Sequence, residues 1–328
     1  MRSIALWGGQ MNPATIHVME TVASFGLMVC LTILLKEKKV VKQDDIPVFA
    51  RLMTEVVLPT VIFFQFLRYP PSARHLLPIL AMLLAGCGNL LAAWLISRML
   101  GFSRSTTGAL MIVSAFGSSS LLGYPLIQYT FPHDPDAMTE AILISELAVG
   151  LPIFTLCPLV AMHFGETPGD GASFRKTFVQ YLRSPIFIAV VLGIGISLLR
   201  IPTQSPFVAP LLEAATMIDG TLAALACLIL GLQIRVESIK RVLVVVCISA
   251  VLQMGLQPFL AFSQATLFHL GSMEKQVLVL IACMPSAVLG PVFAVRYKCD
   301  GHLASTVAFA NILIGAVGIP LVFWFLGH

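Results

Sequence analysis

Apolar residues run along the chain in blocks of about 20, each separated from the next by a short polar or charged stretch. A helix needs about that length to cross the hydrocarbon of a bilayer. The blocks lie at about 15–35, 47–67, 76–99, 106–131, 138–162, 185–200, 207–232, 242–270, 276–297 and 302–326. The pattern therefore predicts an all-α membrane protein with ten transmembrane helices, numbered here as spans 1 to 10.

Two of these spans are flawed at their centres. Phe116–Pro125 (FGSSSLLGYP) in span 4 and Met284–Pro291 (MPSAVLGP) in span 9 carry what a helix tolerates least. Pro125 has no N–H for the carbonyl of Leu121, and Pro291 has none for that of Ala287. Gly117, Gly123 and Gly290 loosen the backbone, and the nearby serines offer hydroxyls to groups left without partners. A half-helix starting after each flaw presents unpaired N–H groups and the positive end of its dipole, and proline suits its first turn. Two such ends aimed at one point make a site for an anion, most simply a carboxylate. Irregular backbone at this depth is stable only against protein or a cavity, which points to a carrier rather than a structural bundle. The expected substrate-binding residues are Ser118, Ser119, Ser120, Gly123 and Pro125 with Pro285, Ser286, Gly290 and Pro291.

Positive charge orients the stack. Fifteen of the 20 Lys and Arg residues fall on alternate connections, among them Lys36, Lys38, Lys39, Lys42, Arg51, Arg98, Arg104, Arg183, Lys240 and Lys298. Those connections belong in the cytoplasm, so both termini are expected outside. The connection 165–184 starts with a flexible GETPGDGAS and ends in a stretch with Phe174, Phe178, Tyr181 and Leu182 on one helical face, as in a helix lying on the membrane surface. It separates 1–164 from 185–328, five spans each. The two parts echo one another at an offset of about 164–168 residues: Gly123 and Pro125 answer Gly290 and Pro291, and GLPIF from Gly150 answers GIPLV from Gly318. Five is odd, so the second part enters from the opposite side and the repeats are inverted, with spans 4 and 9 crossing as antiparallel broken helices.

Composition narrows the chemistry. Charged residues are 11% of the chain, against about a quarter in a soluble domain. The seven cysteines stand singly, the histidines form no ligand spacing, and no nucleophile, zinc or nucleotide-binding motif occurs. The reading is of no enzyme, no cofactor, no metal and no nucleic acid; the partners are a small organic anion and the lipid bilayer of a cell membrane.

Three stretches resemble the auxin efflux carrier family, which includes the plant PIN carriers and bacterial organic-acid permeases: VVLPTVIFFQFL (Val56–Leu67), SSSLLGYPLI (Ser118–Ile127) and ACMPSAVLGPVFAVRYKCD (Ala282–Asp300). The resemblance implies ten spans in two inverted repeats and a scaffold of spans 1, 2, 6 and 7, through which a homodimer forms. It also implies a moving unit of spans 3–5 and 8–10, working as an elevator on auxin-like monocarboxylates or dicarboxylates. The family often has an asparagine where Ser118–Ser120 stand here, so the usual substrate contact is replaced by hydroxyls.

Acids inside spans are costly and tend to act, which adds Glu146 and Asp219 as polar neighbours of the site. Asn311, four residues before Gly315 as Glu146 is before Gly150, joins them. Gln65, Asn89, Gln253 and Gln257 read first as donors between helices. Pro59, Pro152, Pro258 and Pro320 read as kinks. Two rival functions stay open: a sodium-coupled anion symporter of the bile-acid type, and a receptor that senses an organic acid without moving it.

Overall fold

The computed structural model describes residues 13–70, 72–165, 182–198, 209–233, 242–287 and 289–326, with 175, 178 and 179 between them. The surface helix expected within 165–184 falls largely outside these residues. The described chain is helical and holds no strand beyond one isolated bridge. Its helices are α1 (Pro13–Glu37), α2 (Gln43–Arg68), α3 (Ala73–Met99), α4 (Arg104–Ala115), α5 (119–130), α6 (Pro135–Phe164), α7 (Pro185–Ser197), α8 (Ala209–Asp219), α9 (Leu222–Gln233), α10 (Leu243–Leu267), α11 (Ser272–Ala282), α12 (Leu289–Arg296) and α13 (Gly301–Leu326).

Seven stretches among the described residues are long and apolar enough to cross a bilayer: 16–37 within α1, α2, α3, α6, Ala209–Ile229 across α8 and α9, α10 and α13. Expected spans 4 and 9 miss that standard because each is interrupted, as α4/α5 and α11/α12. Span 6 is represented by α7, 13 residues long. Many large apolar side chains on α1, α3, α7 and α10 face outward, including Leu27, Leu91, Val191 and Phe259, as a bilayer solvent requires.

Packing falls into two groups. α7 lies along the second half of α2, with α8 beside it, and α9 lies along α1. The other group gathers α3, α4, α5, α6 and α10–α13, and α1 joins the two by touching α5 and α13. Close approach explains several small residues: a Cβ on Gly231 would sit 2.5 Å from Thr32 Cβ, so glycine lets α9 rest on α1.

Proline shapes the long helices in a repeated way. Pro59, Pro125, Pro152 and Pro258 each stand two residues beyond a π-turn, at Met53–Val57, Ser119–Gly123, Ile144–Gly150 and Leu252–Leu256. In each case the residue before proline donates five residues back: Leu58 to Met53, Tyr124 to Ser119, Leu151 to Glu146 and Gln257 to Leu252. The proline ring would strike the carbonyl four residues earlier and offers it no N–H; widening the turn moves that carbonyl aside. Pro158 and Pro320 instead lie within α-helix.

Candidate functional site

The two interruptions meet. Gly117 and Ser286 pair as an antiparallel bridge. The Ser118 N–H donates to the Pro285 carbonyl at 2.7 Å, and the Ala287 N–H to the Phe116 carbonyl at 2.8 Å. Backbone that leaves its own helix thus finds its partner in the other unwound segment, so neither N–H nor carbonyl is stranded. Gly117 is required by contact: a Cβ there would lie 2.9 Å from the Met284 carbonyl oxygen and 3.2 Å from Met284 Cβ.

The unwinding sits upstream of the glycine–proline pairs that signal it. Residues 116–118 and 283–287 are non-helical, whereas Gly123 and Pro125 lie in α5, and Gly290 and Pro291 in α12. Pro291 is the third residue of α12, where a missing N–H costs nothing. Pro125 comes later in its half-helix and is accommodated by the π-turn before it.

Opening α4 at its C-terminus frees a run of carbonyls, and each has a donor from another helix or from the opposing unwound segment. The Ser286 hydroxyl donates to Val113 O at 2.6 Å, the Asn89 amide to Ser114 O, the Gln257 amide to Ala115 O at 3.3 Å, and the Ala287 N–H to Phe116 O. A second ring of bonds holds these donors. Asn89 Nδ2 also donates to Gln257 Oε1 at 3.1 Å. Asn311 Nδ2 reaches the Ser286 and Ser249 hydroxyls, both at 2.8 Å, and Gln253 Oε1 at 3.2 Å. The Ser114 hydroxyl donates to Ser249 at 3.0 Å. All seven of these side chains are buried. A buried carbonyl left alone costs about 1–3 kcal/mol, so four in a row would undo the local fold.

On one side of the bridge lies a cavity of about 450 Å³. Ser118, Ser119 and Ser120 form one wall, and Ser145, Glu146, Gly150 and Phe154 of α6 a second. Thr54 and Glu55 of α2, Ile186 of α7, Ile229 of α9, and Ala287 and Leu289 at the start of α12 close it. The first turns of both α5 and α12 therefore border the same space. Ser119 and Ser145 share a hydroxyl–hydroxyl bond of 2.6 Å, and the Tyr124 hydroxyl donates to Glu146 Oε1 at 2.6 Å. Hydroxyls, two carboxyls and two helix starts within mostly apolar walls suit a small molecule with one polar end.

The sequence-derived residues distribute around this cavity unevenly. Ser118, Ser119, Ser120 and Glu146 line it. Ser286 and Asn311 stand one layer behind, in the network that caps α4. Pro285 contributes its carbonyl to the bridge and lines a smaller apolar cavity, of about 120 Å³, between α1 and α13. Gly123 packs against Ile281 and Met284, Gly290 against Ile112, and Pro125 is buried in α5. Asp219 is not brought to the site: it accepts from Gln128 Nε2 at 2.9 Å in a separate pocket with Arg68 and His133. Asn89, Gln253 and Gln257 belong to the machinery, although their sequence context marked them only as polar residues in spans. Among the described residues no group of three or more His, Cys, Asp and Glu is placed to hold a metal ion.

Residues 171–323 match the family described as membrane transport protein. That stretch, a little under half of the chain, is similar to this family, the one that includes the auxin efflux carriers. An uncharacterized transporter of Methanothermobacter thermautotrophicus is 25% identical over 308 residues, 92% of this chain and 96% of the relative. An uncharacterized transporter of Methanocaldococcus jannaschii is 22% identical over 293 residues, 88% of this chain and 92% of the relative. Both relatives are named as transporters, and the seven long apolar stretches among the described residues suit a multi-pass membrane protein.

Proposed function

We propose that this chain is a secondary carrier of small organic anions, auxin-like monocarboxylates or dicarboxylates, in a cell membrane. The observation that carries the reading is the backbone pairing of Gly117 with Ser286 beside a serine-lined cavity bordered by two half-helix starts. In this reading the chain has ten spans, in inverted repeats at 1–164 and 185–328, with 165–184 cytoplasmic and both termini outside. A carboxylate sits against the hydroxyls of Ser118–Ser120 and the first turns of α5 and α12, where oriented N–H groups favour negative charge. Ser286 and Asn311 position that constellation rather than touch the substrate, and Glu146 supplies a polar neighbour. Asp219 acts elsewhere.

The group α3–α6 with α10–α13 holds both interruptions and moves as an elevator against α1, α2, α7, α8 and α9, through which a dimer forms. In this reading the large cavity, lined by Thr54 and Glu55 of α2 and Ser184 before α7, faces the cytoplasm, the side of Lys38, Lys39, Lys42 and Arg183.

Counterflow of labelled mono- and dicarboxylates in proteoliposomes tests the reading. Exchange of at least one acid is expected, and Ser119→Leu, which fills the cavity, should lower its rate at least tenfold with the protein still folded in the membrane. No exchange with any acid indicates a receptor, and exchange or uptake that vanishes without sodium indicates the symporter.

A further inference from the structure

Glu140 is the most unusual side chain outside the cavity. It lies on α6, its side chain is fully buried, and neither carboxyl oxygen has a hydrogen-bond partner among the described residues. Burying an ionised carboxylate with no donor costs several kcal/mol, and the only way for this group to shed the charge in place is to bind a proton. The groups that act on it come from three directions. α11 brings Glu274, the start of α3 brings Arg74, and Asp134 and Asp136 stand where α6 begins. Arg74 is already engaged by Asp136 in an ion pair. His75, next to Arg74, is buried, with its Nε2 unpartnered and its Nδ1 turned to Ser72. α5 carries no charged residue and meets α6 deeper through the Tyr124–Glu146 bond. α2 reaches α6 through Gln65, which donates to Thr139 and to the Pro135 carbonyl.

Six residues further along the same helix, about 9 Å of rise, stands Glu146 at the cavity wall. One helix therefore carries two buried carboxyls between a titratable rim and the substrate cavity.

We propose that Glu140 carries the proton that accompanies the organic anion, taking it from water at the rim formed by α3, α6 and α11 and handing it inward toward Glu146. This rests on the carrier reading. One proton enters from the water at the rim and one leaves from Glu146 into the cavity as the anion is released, so both carboxyls return to their starting forms. A monocarboxylate moved with one proton crosses without net charge.

Proteoliposomes holding a trapped pH dye and a panel of labelled mono- and dicarboxylates test this, with protein-free vesicles subtracted. The unaltered protein should accumulate acid under an imposed pH gradient and acidify the lumen as it does so. Glu140→Gln should keep counterflow within about twofold and lose at least tenfold of gradient-driven accumulation, and Glu140→Asp should restore part of it. Counterflow by the unaltered protein without any proton movement overturns this inference and leaves the carrier standing, as does Glu140→Gln accumulating acid normally or a sodium gradient replacing the pH gradient. Loss of counterflow in Glu140→Gln and Glu140→Asp, with both still monodisperse in detergent, marks a structural carboxyl and also overturns it. No counterflow by the unaltered protein with any acid removes the carrier reading, and this inference with it.

Discussion

Gly117 has no slack. The obstacle to a side chain there is the Met284 carbonyl oxygen and Cβ, both tied to the segment that the bridge holds in place. Gly117→Ala is therefore expected to part the two segments and cut counterflow at least tenfold while the protein still inserts. Ser286→Ala acts differently, by leaving Val113 O without its donor and taking a partner from Asn311. At about 1–3 kcal/mol for each buried group left unpaired, its expected signature is a lower thermal midpoint in detergent. The serines and glycines of the site were legible in the sequence because they are odd choices for a membrane helix. Asn89 and Gln257 were not, since the carbonyls they serve exist only once α4 has opened far from them in the chain. One signal was available: they stand 168 residues apart, the same offset that separates Ser118 from Ser286.

At the scale of elements, the four π-turns explain what proline does here better than kinking does. Each widened turn lets a helix continue through a residue that would otherwise break it, and three of the prolines read as kinks, Pro59, Pro152 and Pro258, are of this kind. The turn at Leu252–Leu256 contains Gln253 and fixes the register between Ser249 before it and Gln257 after it, all members of the network around the interruption. Pro258→Ala restores an N–H and removes the ring clash, so an α register can compete; a one-residue change of register rotates one side by about 100° against the other. Unchanged or higher thermal stability with a several-fold slower counterflow is the expected outcome, and equal loss of both would show that the proline serves stability alone. Proline placement located both interruptions to within a few residues. It did not give the unwound residues themselves, because the helix reopens where the opposing chain supplies partners, at 116–118 and 283–287, ahead of each glycine–proline pair.

For the whole molecule, the proposed mechanism rests on the asymmetry between the two cavities. The larger is lined by Ser118, Ser119 and Ser120, and the smaller, apolar one lies between α1 and α13. Inverted repeats that exchange conformations would exchange these cavities, so one conformation should open Ser120 to a single side of the membrane. In the proposed orientation that side is the cytoplasm, since the cavity lining includes Thr54, Glu55 and Ser184, near in sequence to Arg51 and Arg183. A thiol at Ser120 reads this out once the exposed Cys30, Cys87 and Cys247 are replaced by serine. The four buried cysteines can stay; Cys299, between α12 and α13, is held at a pKa of about 11 by burial and the nearby Asp300 charge, so at pH 7.5 it has almost no reactive thiolate. A membrane-impermeant, charged thiol reagent should then modify Ser120→Cys from the cytoplasmic face of oriented vesicles, and more slowly at saturating organic acid. Modification from the outer face alone would reverse the orientation, and indifference to the acid would separate the cavity from substrate binding.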